Sequence, residues 1–241
     1  MKAINSLKPA MVLALLALSL ATVQGQLTVT NRFGNINKVI PDGSAMGVTD
    51  TRKVETPGIA FVTDLQVQLT IEGGLNGDLY CYLVHDSGFV VLVNRPGRSA
   101  ANSIGYEDSG FSATFSAQAT NDFHFYRQTG CASDNGSFDM VIAGVCAPDG
   151  RETDPRDAVD NAPRKNGLAS FGGLNPNGNW TLFLADLSSG EQAKLKDWGL
   201  VITGTAEPAP DLRLAKGPPY YGPASIGSSA LLAHSTINLL P

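Results

Sequence analysis

Three histidines, several aspartates at expected strand ends and three cysteines are the residues here that could do chemistry. A serine nucleophile needs a histidine base and an aspartate that orients it. Only His85, His124 and His234 are available as the base. His85, in Val84-His85-Asp86-Ser87-Gly88, follows an alternating segment and reads as a turn residue. His124, between Phe123 and Phe125, reads as the outward position of a strand. No Gly-x-Ser-x-Gly elbow is present. Hydrolysis by an activated serine is therefore not indicated.

Cation binding fits these residues better. Hard cations take several oxygens, often from Asp side chains and turn carbonyls. Asp78, Asp86 and Asp186 lie at expected strand ends, and their convergence would make a calcium set. The segment Pro148-Asp149-Gly150-Arg151-Glu152-Thr153-Asp154 is a second acidic candidate. Arg151 and Arg156 interleave its acids and it matches no EF-hand spacing, so it reads as a solvated loop. No Cys/His grouping suggests zinc, and no Gly-rich phosphate cradle precedes a helix, so no nucleotide cofactor is indicated.

Cys131 and Cys146 flank a turn-rich stretch containing Asp134, Asn135 and Gly136. Closing that loop as a disulfide would contribute roughly 3 kcal/mol. Cys81 alternates with Leu79 and Leu83 on one strand face and reads as a buried free thiol.

The elements that must position these groups are strands. Of 241 residues, 43% are hydrophobic and only 16% charged, so a sizeable core is possible. The chain carries 26 Gly and 14 Pro, and short β-branched and aromatic runs lie between the turns. Leu65, Val67, Leu69 and Ile71 share one face of a strand. Leu79, Cys81 and Leu83 form the next, and the loop Gly73–Gly77 between them reads as that of an antiparallel hairpin. Phe111, Ala113, Phe115 and Ala117 alternate, as do Phe138, Met140 and Ile142. Trp180, Leu182 and Leu184, then Trp198, Leu200 and Ile202, complete the set. No long segment repeats at 3.6, so helix content should be low. The pattern predicts an all-β fold of two packed sheets, a jelly-roll-like sandwich first and a plain Greek-key sandwich second.

Three regions follow. Residues 1–25 read as a secretory signal peptide: Lys2 and Lys8 precede an apolar run from Ala10 to Ala21, and Val23 and Gly25 supply small residues for cleavage. That run of about 12 residues is short of the roughly 20 that span a bilayer. Residues 26–205 form the sandwich domain. Residues 206–241 begin with the linker-like Glu207-Pro208-Ala209-Pro210 and read as a tail without a sorting signal. Removing residues 1–25 takes away two lysines and no acid, moving the formal charge from −5 to −7. An acidic secreted chain without a basic cluster is a poor partner for nucleic acid or an anionic membrane.

The final third carries a family resemblance. Phe171-Gly172-Gly173, Gly178-Asn179-Trp180-Thr181-Leu182, Asp186 and Leu195-Lys196-Asp197-Trp198-Gly199-Leu200 follow in order. Upstream stand Ile40-Pro41-Asp42, Gly47-Val48 and Asn76-Gly77-Asp78-Leu79. Over about residues 38 to 204 the chain resembles the P domain (P/Homo B domain) of subtilisin-like proprotein convertases. The stretch from roughly 95 to 165 is less typical: Phe115-Ser116-Ala117 stands where the family often carries paired acids. The resemblance implies a galactose-binding-domain-like sandwich that packs against and stabilises a subtilisin-like serine endopeptidase domain, and Gly77, Asp78, Leu79, Phe171, Gly178, Trp180, Asp186 and Trp198 as its motif residues. No segment around a histidine or serine resembles the catalytic motifs of that protease. The expectation is a secreted, periplasmic or surface-located non-catalytic module with a protease or other extracellular protein as partner. An adhesion or carbohydrate-binding sandwich and a truncated convertase-like peptidase are the alternatives.

Overall fold

The computed structural model describes residues 25–131, 144–157 and 160–207. The expected signal peptide apart from Gly25, the alternation at Phe138, Met140 and Ile142, and the tail beyond Glu207 lie outside the described residues. Ten strands are described in chain order: β1 (Gln26–Phe33), β2 (Lys38–Val39), β3 (Ser44–Val54), β4 (Ile59–Leu75), β5 (Leu79–His85), β6 (Gly88–Asn94), β7 (Ser109–Ser116), β8 (Val145–Cys146), β9 (Gly178–Asp186) and β10 (Ala193–Ala206). Among the described residues helix is confined to single turns, none of them long and apolar enough to cross a membrane.

The strands form two sheets. One runs β1-β10-β4-β7-β8, with β2 also on β10, and the other runs β3-β9-β5-β6. Pairing is antiparallel except between β7 and β8. The chain passes repeatedly from one sheet to the other, in jelly-roll-like fashion. Alternation explains the packing: Leu65, Val67, Leu69 and Ile71 of β4 and Leu79, Cys81 and Leu83 of β5 all point into the space between the sheets. The expected hairpin between β4 and β5 does not form. β4 already has β10 and β7 as neighbours, while β5 lies between β9 and β6 in the opposite sheet. The 3₁₀ turn Asn76–Asp78 carries the chain across.

Two tryptophans from opposite sheets anchor the core. Trp180 on β9 and Trp198 on β10 are buried, and each indole N–H finds an acceptor, the Pro176 carbonyl at 2.9 Å and Asp50 Oδ2 at 2.7 Å. Phe171 packs on Trp180 with ring centroids 5.1 Å apart. Cys131 and Cys146 are joined as a disulfide, and Cys81 is a buried free thiol whose pKa is pushed up by burial.

The segment after Cys146 is buried at its start, not solvated throughout: Glu152, Asp154, Arg156 and Asp157 are exposed as expected, but the residues before them are not. Asp149 and Arg151 are buried, and the Asp149 and Gly150 amides donate to Leu92 and Val91 carbonyls on the edge of β6. An exposed strand edge invites pairing with other chains, and this segment covers it.

Candidate functional site

The histidines are structural in their contacts. His85 is the last residue of β5 rather than part of the turn after it, and it is buried. Its ring stacks on Trp180 with centroids 4.1 Å apart. Its two nitrogens lie 2.9 Å from the Asn179 carbonyl and 2.7 Å from the Asn175 carbonyl. It thereby ties down the turn before β9, where Gly178 takes the positive φ of +123° that a side chain would resist.

His124 is not on the outward face of a strand. It lies in a 3₁₀ turn, Phe123–Phe125, where its own amide donates to the Asp122 carboxylate, and it is fully buried. Nδ1 is 2.9 Å from Asp149 Oδ2 and Nε2 is 2.9 Å from the Arg98 carbonyl. Both nitrogens face acceptors, so the doubly protonated ring satisfies both. Burial opposes that charge, but the Asp149 carboxylate outweighs it and the pKa is raised. Asp149 Oδ1 also accepts from Arg151 Nη1 at 3.1 Å, and Arg151 Nη2 donates to Asp122 Oδ2 at 2.9 Å. Sequence reasoning missed this network, because its members come from segments that only tertiary packing brings together.

At one end of β5 and β9 lies the acidic cluster. Gly77 sits so close to its neighbours that a Cβ there would lie 2.4 Å from the Ile104 carbonyl oxygen. Close packing at Gly77 holds Asp78 against Arg95, whose Nη2 donates to Asp78 Oδ1 at 3.0 Å. Arg95 also donates to the Gly77 carbonyl at 2.8 Å and the Ser188 hydroxyl at 2.9 Å. Asp186 is paired across the sheet with Leu79 and Ser44. It is 1% exposed, and neither carboxylate oxygen has a hydrogen-bond partner of good geometry. Burial first, then the nearby Asp78 and Asp42 carboxylates, push its pKa up to about 7, partly offset by the neighbouring Ser188 amide and Arg95. Asp42 is exposed and accepts from the Gly190 amide at 3.1 and 3.2 Å.

Of the expected calcium set, the structure brings Asp78 and Asp186 together and leaves Asp86 apart. Asp86 is an exposed residue just past the far end of β5, with φ +50°. That end is roughly 20–25 Å away at about 3.3 Å per residue. Asp42, not Asp86, is the further carboxylate whose charge acts on Asp186. Its motif, Ile40-Pro41-Asp42, was visible in the sequence, whereas nothing there marked Arg95 or Ser188. Among the described residues, no group of three His, Cys, Asp or Glu side chains forms a ready-made metal site. Leu79, Phe171, Trp180 and Trp198 are buried in the frame of the sandwich.

No family model and no curated protein matches the sequence. Among solved structures, the chain is similar to the serine protease of Aeromonas sobria in complex with a chaperone, with a TM-score of 0.43 and 15% identity. The similarity covers 76% of this chain and 28% of the protease chain. A second structure of the serine protease of Aeromonas sobria gives a TM-score of 0.41 and 14% identity, covering 75% of this chain and 27% of that one. This chain therefore spans little more than a quarter of the chains it matches.

Proposed function

We propose that this chain is a secreted, non-catalytic β-sandwich module that engages or stabilises a partner, in the manner of the P domains of subtilisin-like serine endopeptidases. The observation that carries this reading is the use of the two described histidines. Each ring nitrogen of His85 and His124 is held by a carbonyl or by Asp149 in the interior, so neither ring is placed to take a proton from a serine. His234 lies outside the described residues. The motif residues support the same reading, since Phe171, Trp180 and Trp198 fill the core and serve the frame. The Cys131–Cys146 disulfide supports an oxidising, extracytoplasmic setting.

Affinity capture from the culture medium with the tagged chain tests the reading. A serine endopeptidase whose thermal half-life lengthens in the complex is the expected result. Capture of a polysaccharide or an envelope component instead would overturn it in favour of adhesion.

One observation favours that second reading. A polar groove of about 380 Å³ crosses the outer face of the larger sheet, lined in part by Arg32, Gln68, Thr70, Ser112 and Asp197. Amides, hydroxyls and an acid on a sheet face suit the hydroxyls of a sugar. Binding to a glycan array that is lost in Gln68→Ala would support it.

A further inference from the structure

A sheet ends in two edge strands, each with a row of unpaired backbone groups that another chain can join unless something blunts it. Three of the four edges described in this sandwich are blunted. Along β6, the Asp149 and Gly150 amides donate to the Leu92 and Val91 carbonyls. β8 is only two residues long. β3 is broken by a register shift between Ser44 and Val48, and the Lys38 ammonium donates to its Thr49 carbonyl at 2.7 Å. A bulge and an edge lysine both turn a further strand away.

β1 has none of these devices. Its eight residues pair with β10 without a shift, from Gln26 opposite Thr205 to Phe33 opposite Trp198, and contain neither Pro nor Lys. Hydrogen bonds between two antiparallel strands serve alternate residues. The Ala206 amide donates to the Gly25 carbonyl at 2.8 Å, which puts the odd-numbered residues of β1 in contact with β10. Gln26, Thr28, Thr30 and Arg32 therefore turn their backbone groups to the open side, where no described strand pairs with them, and all four are exposed.

The open row is complementary to itself. Laid antiparallel on a second β1 with Val29 at the two-fold axis, Gln26 faces Arg32 of the other copy and Thr28 faces Thr30. All four open residues then fall in hydrogen-bonded pairs, each of which exchanges both its bonds. Arg32 is the only charge in the strand, and it meets an amide rather than its own copy. Facing threonines already bond hydroxyl to hydroxyl at 2.9 Å in this fold, Thr28 with Thr203 and Thr51 with Thr181. The same surface serves both copies, so the contact closes as a dimer and does not grow into a fibre.

We propose that β1 is the contact between two copies of this chain, joined antiparallel about Val29 so that the larger sheet runs through both. The contact needs no outside partner.

Sedimentation of the purified chain across the micromolar range tests this. The expected result is a mass that climbs towards twice that of the monomer as concentration rises. Thr30→Pro removes an amide that points away from β10, a position where an edge strand tolerates Pro. It should hold the chain at the monomer mass with unchanged circular dichroism. Should that variant fail to fold, the double variant Thr28→Lys and Thr30→Lys sets like charges opposite each other at exposed positions and should also be monomeric. The register has its own check. Residues in a non-hydrogen-bonded pair stand about 4.5 Å apart, within reach of a disulfide, so Val29→Cys should link two chains on oxidation and Thr30→Cys should not. A wild-type mass that stays monomeric throughout overturns the proposal. So does a dimer that survives in Thr30→Pro and in the double variant, or cross-linking that is no better at Val29 than at Thr30. Capture of another protein by the monomer, lost in Thr30→Pro, would overturn it too and give the edge to that protein.

Discussion

His124 is held in the interior by charge rather than by apolar packing alone. Its raised pKa, set by burial on one side and the stronger pull of Asp149 on the other, makes the pair pH-dependent. The folded ring holds its proton more tightly than the unfolded ring, whose ordinary value is 6.5. Its stabilisation is therefore complete below about pH 6.5 and lost as pH rises through the folded value. NMR titration of the His124 ring should give a midpoint above the ordinary one. A midpoint below it would contradict the charged assignment. Asp149→Asn should be more damaging, because it leaves Arg151 and His124 buried without their carboxylate. Breaking such a pair costs about 3–5 kcal/mol, to be read from chemical denaturation. A loss under 1 kcal/mol would show that the network matters little. None of this was legible in the sequence. His124 between two phenylalanines has the pattern of an outward strand position, and its partner is 25 residues away.

The strands themselves were legible, because period-two alternation records which face is buried. β4, β5, β9 and β10 follow the alternation at Leu65–Ile71, Leu79–Leu83, Trp180–Leu184 and Trp198–Ile202. Their partnership was not. β4 and β5 look like a hairpin because alternation marks a buried face without saying which sheet supplies the neighbour. In the fold both edges of β4 are taken by β10 and β7, and β5 lies in the other sheet. The start of the segment Pro148–Asp154 misled for a related reason. Its charge suggested solvent, whereas Asp149 and Arg151 neutralise one another under the edge of β6. At this scale the tryptophans are the direct test. Trp180→Ala removes the ring on which His85 stacks and against which Phe171 packs, so a loss of about 3–5 kcal/mol is expected in urea unfolding. A loss under 1 kcal/mol would mean that β9 is not the anchor described here.

At the scale of the molecule, two sheets close around one apolar core. Of the candidate site, Asp78 and Asp186 were legible as strand-end acids, and the charge of one acts on the other. Asp42 was visible only as part of a motif, and Arg95 not at all, since their proximity depends on how the sheets stack. The central claim is that the chain holds a sandwich and leaves catalysis to a partner. Incubating the purified chain with a fluorogenic dibasic peptide, with and without a serine-protease inhibitor, tests that claim most directly. The account predicts no turnover above buffer, whereas inhibitor-sensitive cleavage by the purified chain would contradict it.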